Sequence, residues 1–147
     1  MYWVVPGRLC AGPYPLESLD LLRSAGVDTF VDLTEEGEYD LPPYAELVDG
    51  TEHVRFPIPD YGVPTHERMT EILDFVDDAL TGDRVVYLHC LGGVGRTGMT
   101  VACHLMRGGA SAEDALASIA AWRADGRRSP ETDEQRRFVQ SWPDASP

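Results

Sequence analysis

The ten residues HCLGGVGRTG (89–98) determine how the rest of this sequence is interpreted. They follow the apolar run RVVYLHC, which is typical of a strand buried in a parallel sheet, and they lead into a helical pattern. Open α/β sheets bind ligands where such a strand ends, because backbone N–H groups and the positive end of the next helix face one concavity. Gly92, Gly93 and Gly95 let the chain curl there. The stretch therefore predicts a loop that wraps a phosphate.

Two other phosphate-binding loops fit this stretch less well. A Walker A loop needs a glycine five places before Gly95 and a lysine after it, whereas Cys90 and Arg96 occupy those places. A dinucleotide-binding loop matches Gly93, Gly95 and Gly98, but it requires a second strand that ends in an acid about 20 residues on. That region of this sequence has a helix-capping pattern instead.

A third interpretation accounts for Cys90 and Arg96 as well. The cysteine lies at the mouth of the strand, where loop amides and the helix end favour the thiolate, which is the nucleophilic form. Arg96 can place its planar guanidinium over two phosphoryl oxygens, and Thr97 can donate a hydrogen bond to the sulfur. The pattern therefore indicates that the bound phosphate is attacked. The predicted substrate-binding residues are Leu91, Gly92, Gly93, Val94, Gly95 and Arg96.

The loop, taken with its neighbours, resembles the signature loop of the cysteine-based protein tyrosine and dual-specificity phosphatases. VPGRLCAGPYP (5–15), FVDLTEEGE (30–38) and PIPDYGVP (57–64) resemble the small dual-specificity type, which includes kinase-associated phosphatases and their bacterial relatives. The resemblance implies a protein tyrosine phosphatase-like fold. It also implies hydrolysis of phosphate monoesters through a phosphocysteine on Cys90, with Thr97 stabilising the departing thiolate and with no metal and no cofactor.

The same resemblance implies roles for three residues outside the loop's centre. Asp60 matches the family's general acid, which would protonate the leaving oxygen and then accept a proton from water. His89 would orient the loop and tune the thiol, although a buried histidine satisfied by hydrogen bonds would look the same. Gln135 matches one of two glutamines that position water in classical enzymes, while Glu131 replaces the other. The alternative for Gln135 is a helix-cap amide that bonds back to Thr132.

Length and composition are those of an ordinary globular protein. With 147 residues and 43% hydrophobic residues, the chain is expected to form a single phosphatase domain over 1–147. No apolar run is long enough to span a bilayer. The start MYWVVPGR favours a first strand over a signal peptide, so a cytoplasmic location is expected. Cys10, Cys90 and Cys103 are an odd number without zinc-site spacing, which favours free thiols.

Charge narrows the expected partners to a phosphorylated protein or a small phosphomonoester. The net charge is −13 and all twelve cations are arginines, a balance that disfavours nucleic acid, anionic membranes and substrates with many phosphates. Because the chain is short, we expect a shallow site open to phosphotyrosine and also to phosphoserine or phosphothreonine. An inositol-phosphate, lipid or nucleotide phosphatase is the alternative enzyme, although the lipid type has lysines in the loop. A non-catalytic phosphopeptide-binding module is the alternative outside enzymes. The sequence does not set the oligomeric state.

The remaining pattern alternates strands with helices and ends in helices, which predicts a three-layer α/β fold with a mostly parallel central sheet and helices on both faces. Strands are predicted within 2–12, 27–33, 53–59 and 84–90, and helices over 15–26, 65–82, 97–109, 111–123 and 129–142. Ser129 is the candidate cap of the last helix. The segment 34–52 has seven acids and no base, which favours a solvated loop or a short surface helix.

Overall fold

The computed structural model describes residues 1–143 and contains a five-stranded sheet. The strands are β1 (Tyr2–Val5), β2 (Leu9–Gly12), β3 (Thr29–Asp32), β4 (Glu52–Arg55) and β5 (Val86–His89). Their order is β1-β2-β5-β3-β4; β1 is antiparallel to β2, and the other neighbouring pairs are parallel. The mostly parallel sheet predicted from the sequence is therefore confirmed.

The register aligns the carboxyl ends of the four parallel strands at one edge. Asp32 pairs with both Arg55 and His89, and His89 also pairs with Gly12. The predicted anion loop leaves β5 at the centre of this edge, between β2 and β3. Segments that follow the neighbouring strands can therefore surround the loop, as ligand sites of open α/β sheets require.

Helices cover both faces of the sheet, as predicted. They are α1 (Leu19–Ser24), α2 (His66–Thr81), α3 (Arg96–Arg107), α4 (Ala112–Trp122) and α5 (Asp133–Ser141). One core includes Val31, Met69 and Met99 and joins the sheet to α2–α5, whereas a second core includes Leu22 and Phe30 and lies under α1. Side chains of β2, β3 and β5 alternate between these two cores because successive residues point to opposite faces. Within residues 1–143, no helix has the length and apolar character needed to cross a bilayer.

Several elements are shorter than predicted. The first helix begins only at Leu19, and the strands predicted over 27–33 and 53–59 are confined to Thr29–Asp32 and Glu52–Arg55. The predicted cap of the last helix at Ser129 is wrong. Thr132 caps α5 instead, because its hydroxyl and the Gln135 side chain each satisfy a backbone N–H of the other residue.

Candidate active site

The loop between β5 and α3 is shaped by two close approaches that glycine permits. Gly93 has φ +72°, and a Cβ there would lie 2.5 Å from the carbonyl carbon of Gly12. Gly98 lies in the first turn of α3, where the Ser129 hydroxyl occupies the space that a Cβ would need. The loop is therefore packed against the end of β2 on one side and against the segment before α5 on the other.

Three carbonyl groups of this loop accept hydrogen bonds from elsewhere in the chain. The pairs are Tyr14 N–H to Leu91 (2.9 Å), Arg123 Nη1 to Gly93 (2.8 Å) and the Ser129 hydroxyl to Val94 (2.6 Å). Within the described 143 residues, the N–H groups of residues 91–95 have no hydrogen-bond acceptor. Because the carbonyls are held by outside donors, the amides remain available to an anion.

Cys90 lies directly after β5 and opens onto a cavity of about 160 Å³. Its exposed fraction is 3%, so the thiol lies at the bottom of the cavity rather than on the surface. The other lining residues are Asp60, Tyr61, Leu91, Gly92, Val94, Gly95, Arg96, Arg127 and Glu131. The structure thus brings the predicted nucleophile, arginine, acid and most loop residues to one site. The sequence analysis did not identify Tyr61 or Arg127 as part of it.

Arg96 is a cation of this cavity that is almost fully buried. Its Nη1 and Nη2 atoms each donate to one carboxylate oxygen of Glu38 at 2.7 Å, and Nη1 also donates to the Ile58 carbonyl at 2.9 Å. Nη2 lies 3.2 Å from Oδ1 of Asp60. Burial alone would lower the pKa of Arg96, but Glu38, Cys90 and Asp60 raise it overall, so the guanidinium keeps its charge.

The acidic segment 34–52 is not simply solvated, which corrects the expectation from its composition. Glu38 pairs with Arg96, and its side chain is only 6% exposed. Tyr44 is buried, and its hydroxyl lies 2.5 Å from Nε2 of His89. Composition cannot distinguish an acid that faces water from one that reaches a buried arginine 58 positions later. The available signal was the position of Glu38 at the end of FVDLTEEGE, one of the stretches that carry the family resemblance.

Asp60 lines the same cavity and is held by two hydrogen bonds and an ion pair. The Tyr39 hydroxyl donates to Oδ2 at 2.7 Å, the Tyr61 backbone N–H donates to Oδ1 at 3.0 Å, and Arg96 approaches the same Oδ1. Tyr61 has φ +61°, so the chain turns sharply directly after the acid. This arrangement holds the carboxyl group where it can exchange a proton with a group bound in the cavity.

His89 lies behind the loop and is fully buried. Its Nδ1 is 3.0 Å from the Cys90 carbonyl, which can only accept, so Nδ1 carries the proton and Nε2 accepts from Tyr44. Burial lowers the pKa of His89 to about 4, against the opposing effect of Asp32. The neutral ring thus holds the carbonyl of the candidate nucleophile, which fits both alternatives considered for this residue.

Asp32 lies at the end of β3, with its Oδ2 3.9 Å from Nε2 of His89. Its Oδ1 accepts from the Thr34 N–H (2.9 Å) and hydroxyl (2.6 Å), and its Oδ2 accepts from His53 (2.9 Å) and Arg55 (3.2 Å). Burial would raise the pKa of Asp32, but these bonds and His89 hold it well below its usual range. The carboxylate is therefore ionised at neutral pH, beneath the loop.

The depressed pKa of His89 predicts a loss of stability in mild acid. An unfolded histidine binds a proton near pH 6.5 and the folded one only near pH 4, so the contribution is intact above pH 6.5 and declines as pH falls toward 4. We expect the unfolding free energy to drop by roughly 3 kcal/mol over this interval. In His89→Asn, whose amide can still donate to the Cys90 carbonyl, the unfolding free energy should decline much less steeply as the pH falls from 6.5 to 4. Urea unfolding across the interval measures it, and an unchanged slope would contradict the assignment.

Thr97 and Gln135 lie near the loop but do not make the contacts predicted for them. The Thr97 hydroxyl is buried without a hydrogen-bond partner in the described part of the chain, so the expected bond to the Cys90 sulfur is not formed. Gln135 packs against Gly95 and completes the α5 cap with Thr132, while its Nε2 donates to the Gly62 carbonyl at 3.2 Å. The structure therefore gives Gln135 the helix-cap contact that was the alternative to positioning water.

Comparison with known proteins agrees with this geometry. Residues 1–139 match the family model of the DSP-PTPase phosphatase domain of Swiss Army Knife proteins. The fold is similar to that of Tk-PTP in its active form, with a TM-score of 0.82, 28% identity and coverage of 99% of this chain and 97% of that one. It is also similar to a kinase-associated phosphatase whose catalytic-site cysteine is replaced by serine, with a TM-score of 0.79, 26% identity and coverage of 92% and 84%.

Curated relatives match over part of their length. An Arabidopsis thaliana protein named as a phosphatidylinositol 3,4,5-trisphosphate 3-phosphatase and protein-tyrosine-phosphatase is 36% identical over 92 residues, which cover 61% of this chain and 22% of that protein. The chain spans 43%, 22% and 36% of the lengths of the first three curated relatives.

Proposed function

Because this chain belongs to the dual-specificity phosphatase family of the protein tyrosine phosphatase fold, we propose that it hydrolyses phosphate monoesters in proteins. Phosphotyrosine is the first expected substrate, with phosphoserine and phosphothreonine as further ones. One observation carries the proposal: the Cys90 thiol, the Arg96 guanidinium and the Asp60 carboxyl open onto a single cavity whose loop amides have no acceptor within residues 1–143.

In the first proposed step, the Cys90 thiolate attacks phosphorus. The bond from phosphorus to the ester oxygen breaks, and Asp60 gives its proton to that oxygen, which leaves as an alcohol or phenol. The loop amides and Arg96 hold the other phosphoryl oxygens and stabilise the charge that develops on them. The product is a phosphocysteine.

In the second step, water attacks the phosphocysteine and gives a proton to Asp60. The bond from phosphorus to sulfur breaks, inorganic phosphate forms and the thiolate is regenerated. The Thr97 hydroxyl does not bond to the sulfur in this structure, but it is buried without a partner among the described residues and is therefore the donor we propose for the departing thiolate. The step uses only side chains and water.

Arg96 can bind substrate without giving up Glu38. Glu38 and Ile58 accept three of the hydrogens on the two terminal nitrogens, which leaves the Nε–H and one N–H of Nη2, the nitrogen that lies 3.2 Å from Oδ1 of Asp60. A phosphoryl group takes these two donors, and a protonated Asp60 no longer needs the second. Glu38 thus fixes the orientation of the guanidinium while the phosphoryl group of the substrate replaces Asp60 beside Arg96.

Charge around the cavity favours a substrate with one phosphate. Glu38, Asp60 and Glu131 surround the site, and the loop positions Leu91 and Gly92 supply no cation. The name of the Arabidopsis relative makes a phosphoinositide the second candidate. Against it, Arg127 is the one cation besides Arg96 among the described lining residues.

A substrate comparison tests the proposal. The purified chain should release phosphate from 4-nitrophenyl phosphate and from phosphotyrosine peptides, and it should act at least about 10-fold less well on phosphoinositides in vesicles. Activity on phosphoinositides alone would mean that the substrate is a lipid and not a protein. Phosphopeptide binding without turnover of any substrate would favour the non-catalytic alternative.

The general-acid role of Asp60 predicts an effect that depends on the leaving group. Asp60→Asn should lower kcat about 100-fold for phenyl phosphate, whose leaving group needs a proton, and less than about 10-fold for 4-nitrophenyl phosphate. Asp40→Asn, which removes an exposed carboxylate from the neighbouring turn, is the matched control and should leave the ratio of the two rates unchanged. Equal losses of kcat for both substrates would show that Asp60 is not the general acid.

A further inference from the structure

Tyr39 makes a contact that the proposed mechanism does not use. Its hydroxyl donates to Oδ2 of Asp60 at 2.7 Å, while 65% of the residue is exposed. Within residues 1–143 it is the one hydrogen bond to Oδ2, because the Tyr61 N–H donates to Oδ1 and Arg96 pairs with Oδ1. The bond to Asp60 raises the pKa of Tyr39, so the phenol remains a protonated donor at neutral pH.

The turn that contains Tyr39 is held in an unfavourable conformation. Tyr39 has φ +50° and Asp40 has φ +56°, and neither is glycine. Left-handed backbone at such residues is unfavourable, and it persists where surrounding contacts fix it. Here the contacts are the Glu38 pair with Arg96 and the Tyr39 bond to Asp60. Two consecutive side chains of one strained turn therefore hold the two groups that flank the phosphate site.

We propose that Tyr39 is a positioning residue that fixes the rotation of the Asp60 carboxyl group during catalysis. The inference rests on the proposed phosphatase function. With Oδ2 bonded to Tyr39, Oδ1 is the oxygen that faces Arg96 and the cavity. The proton transferred to the leaving group is then the one on Oδ1.

This arrangement couples the acid to the arrival of substrate. Oδ1 accepts from the Tyr61 N–H and lies 3.2 Å from Nη2 of Arg96, whose charge favours the ionised carboxylate. A phosphoryl group that binds Arg96 takes up that charge and allows Oδ1 to carry a proton, while Tyr39 keeps Oδ2 in place. Without the Tyr39 hydroxyl, the carboxyl group can rotate, and proton transfer to the leaving oxygen loses its geometry.

The test is the leaving-group dependence of Tyr39→Phe in the full chain. We expect kcat for phenyl phosphate to fall about 5- to 10-fold, with kcat for 4-nitrophenyl phosphate and KM for both substrates changed less than about twofold. Asp40→Asn, at the next residue of the same strained turn, is the control, because it changes an exposed side chain of that turn and keeps the Tyr39 hydroxyl. It should leave the ratio of the two kcat values as in wild type.

A double variant shows whether Tyr39 acts through Asp60. In the Asp60→Asn background, Tyr39→Phe should not change the ratio further, since the two residues then form one unit. An independent loss in that background, or an equal loss for both substrates in the single variant, would overturn the inference. The inference would also be overturned if the wild type is active and Tyr39→Phe leaves the ratio of the two kcat values unchanged. Failure of the wild type to hydrolyse either substrate is a different result, because it overturns the proposed function and this inference together.

Discussion

Cys90→Ser is expected to reduce turnover of 4-nitrophenyl phosphate by on the order of 10⁴-fold or more, while inorganic phosphate still binds. A serine hydroxyl is not ionised near neutral pH, so the loop and Arg96 would hold phosphate without a nucleophile beneath it. Steady-state assays measure the first effect, and calorimetric titration with inorganic phosphate measures the second.

The control for this prediction is another buried thiol. Burial raises the pKa of Cys103, which lies in the core on α3, so it stays a neutral thiol. Cys103→Ala should lower thermal stability and keep turnover of the folded enzyme. Turnover that survives Cys90→Ser would mean that a different group attacks phosphorus, and the phosphocysteine mechanism would be wrong.

Arg96→Lys is expected to lower kcat about 10³-fold, although it conserves charge. A lysine ammonium cannot bond both Glu38 oxygens in a plane and still direct N–H groups at a phosphoryl group, as the guanidinium does. The loss should be larger in kcat than in phosphate affinity, because the fork matters most when charge spreads over the oxygens being transferred. The same 4-nitrophenyl phosphate assay measures kcat.

Arg107→Lys is a suitable comparison for that substitution. Arg107 ends α3, the same helix that Arg96 begins, and pairs with Asp74 and Asp77 at the surface. Its replacement should leave kcat and phosphate binding as in wild type, because surface pairs contribute little. If Arg96→Lys behaved in the same way, the guanidinium would have no special part in the reaction.

The parts of the site that could be predicted from sequence are those encoded within a few neighbouring residues. The strand, the glycines and the helix around Cys90 and Arg96 set the loop's location, and alternating apolar patterns set the sheet and its two covered faces. Asp60 came from family resemblance, because proline-flanked aspartates are common in turns.

The contacts that could not be predicted join distant segments. Glu38 with Arg96, Tyr39 with Asp60 and Tyr44 with His89 are separated by 58, 21 and 45 positions. Their segment is so rich in acids that composition favoured full solvation, and only the folded edge of the sheet shows which acid turns inward. Ser129 was predicted as the cap of α5 for a local reason, since Ser129 and Pro130 resemble a helix start, whereas the Thr132–Gln135 cap was only the alternative considered for Gln135.

The donors that hold the loop carbonyls determine which distant substitutions can abolish activity. Tyr14, Arg123 and Ser129 come from three separate parts of the chain, yet each determines how one peptide unit of the loop is turned. A substitution at Arg123 or Ser129 could silence the enzyme by letting a single peptide plane swing round, with every reactive side chain still in place. A substitution far from the Cys90 sulfur can therefore abolish the activity.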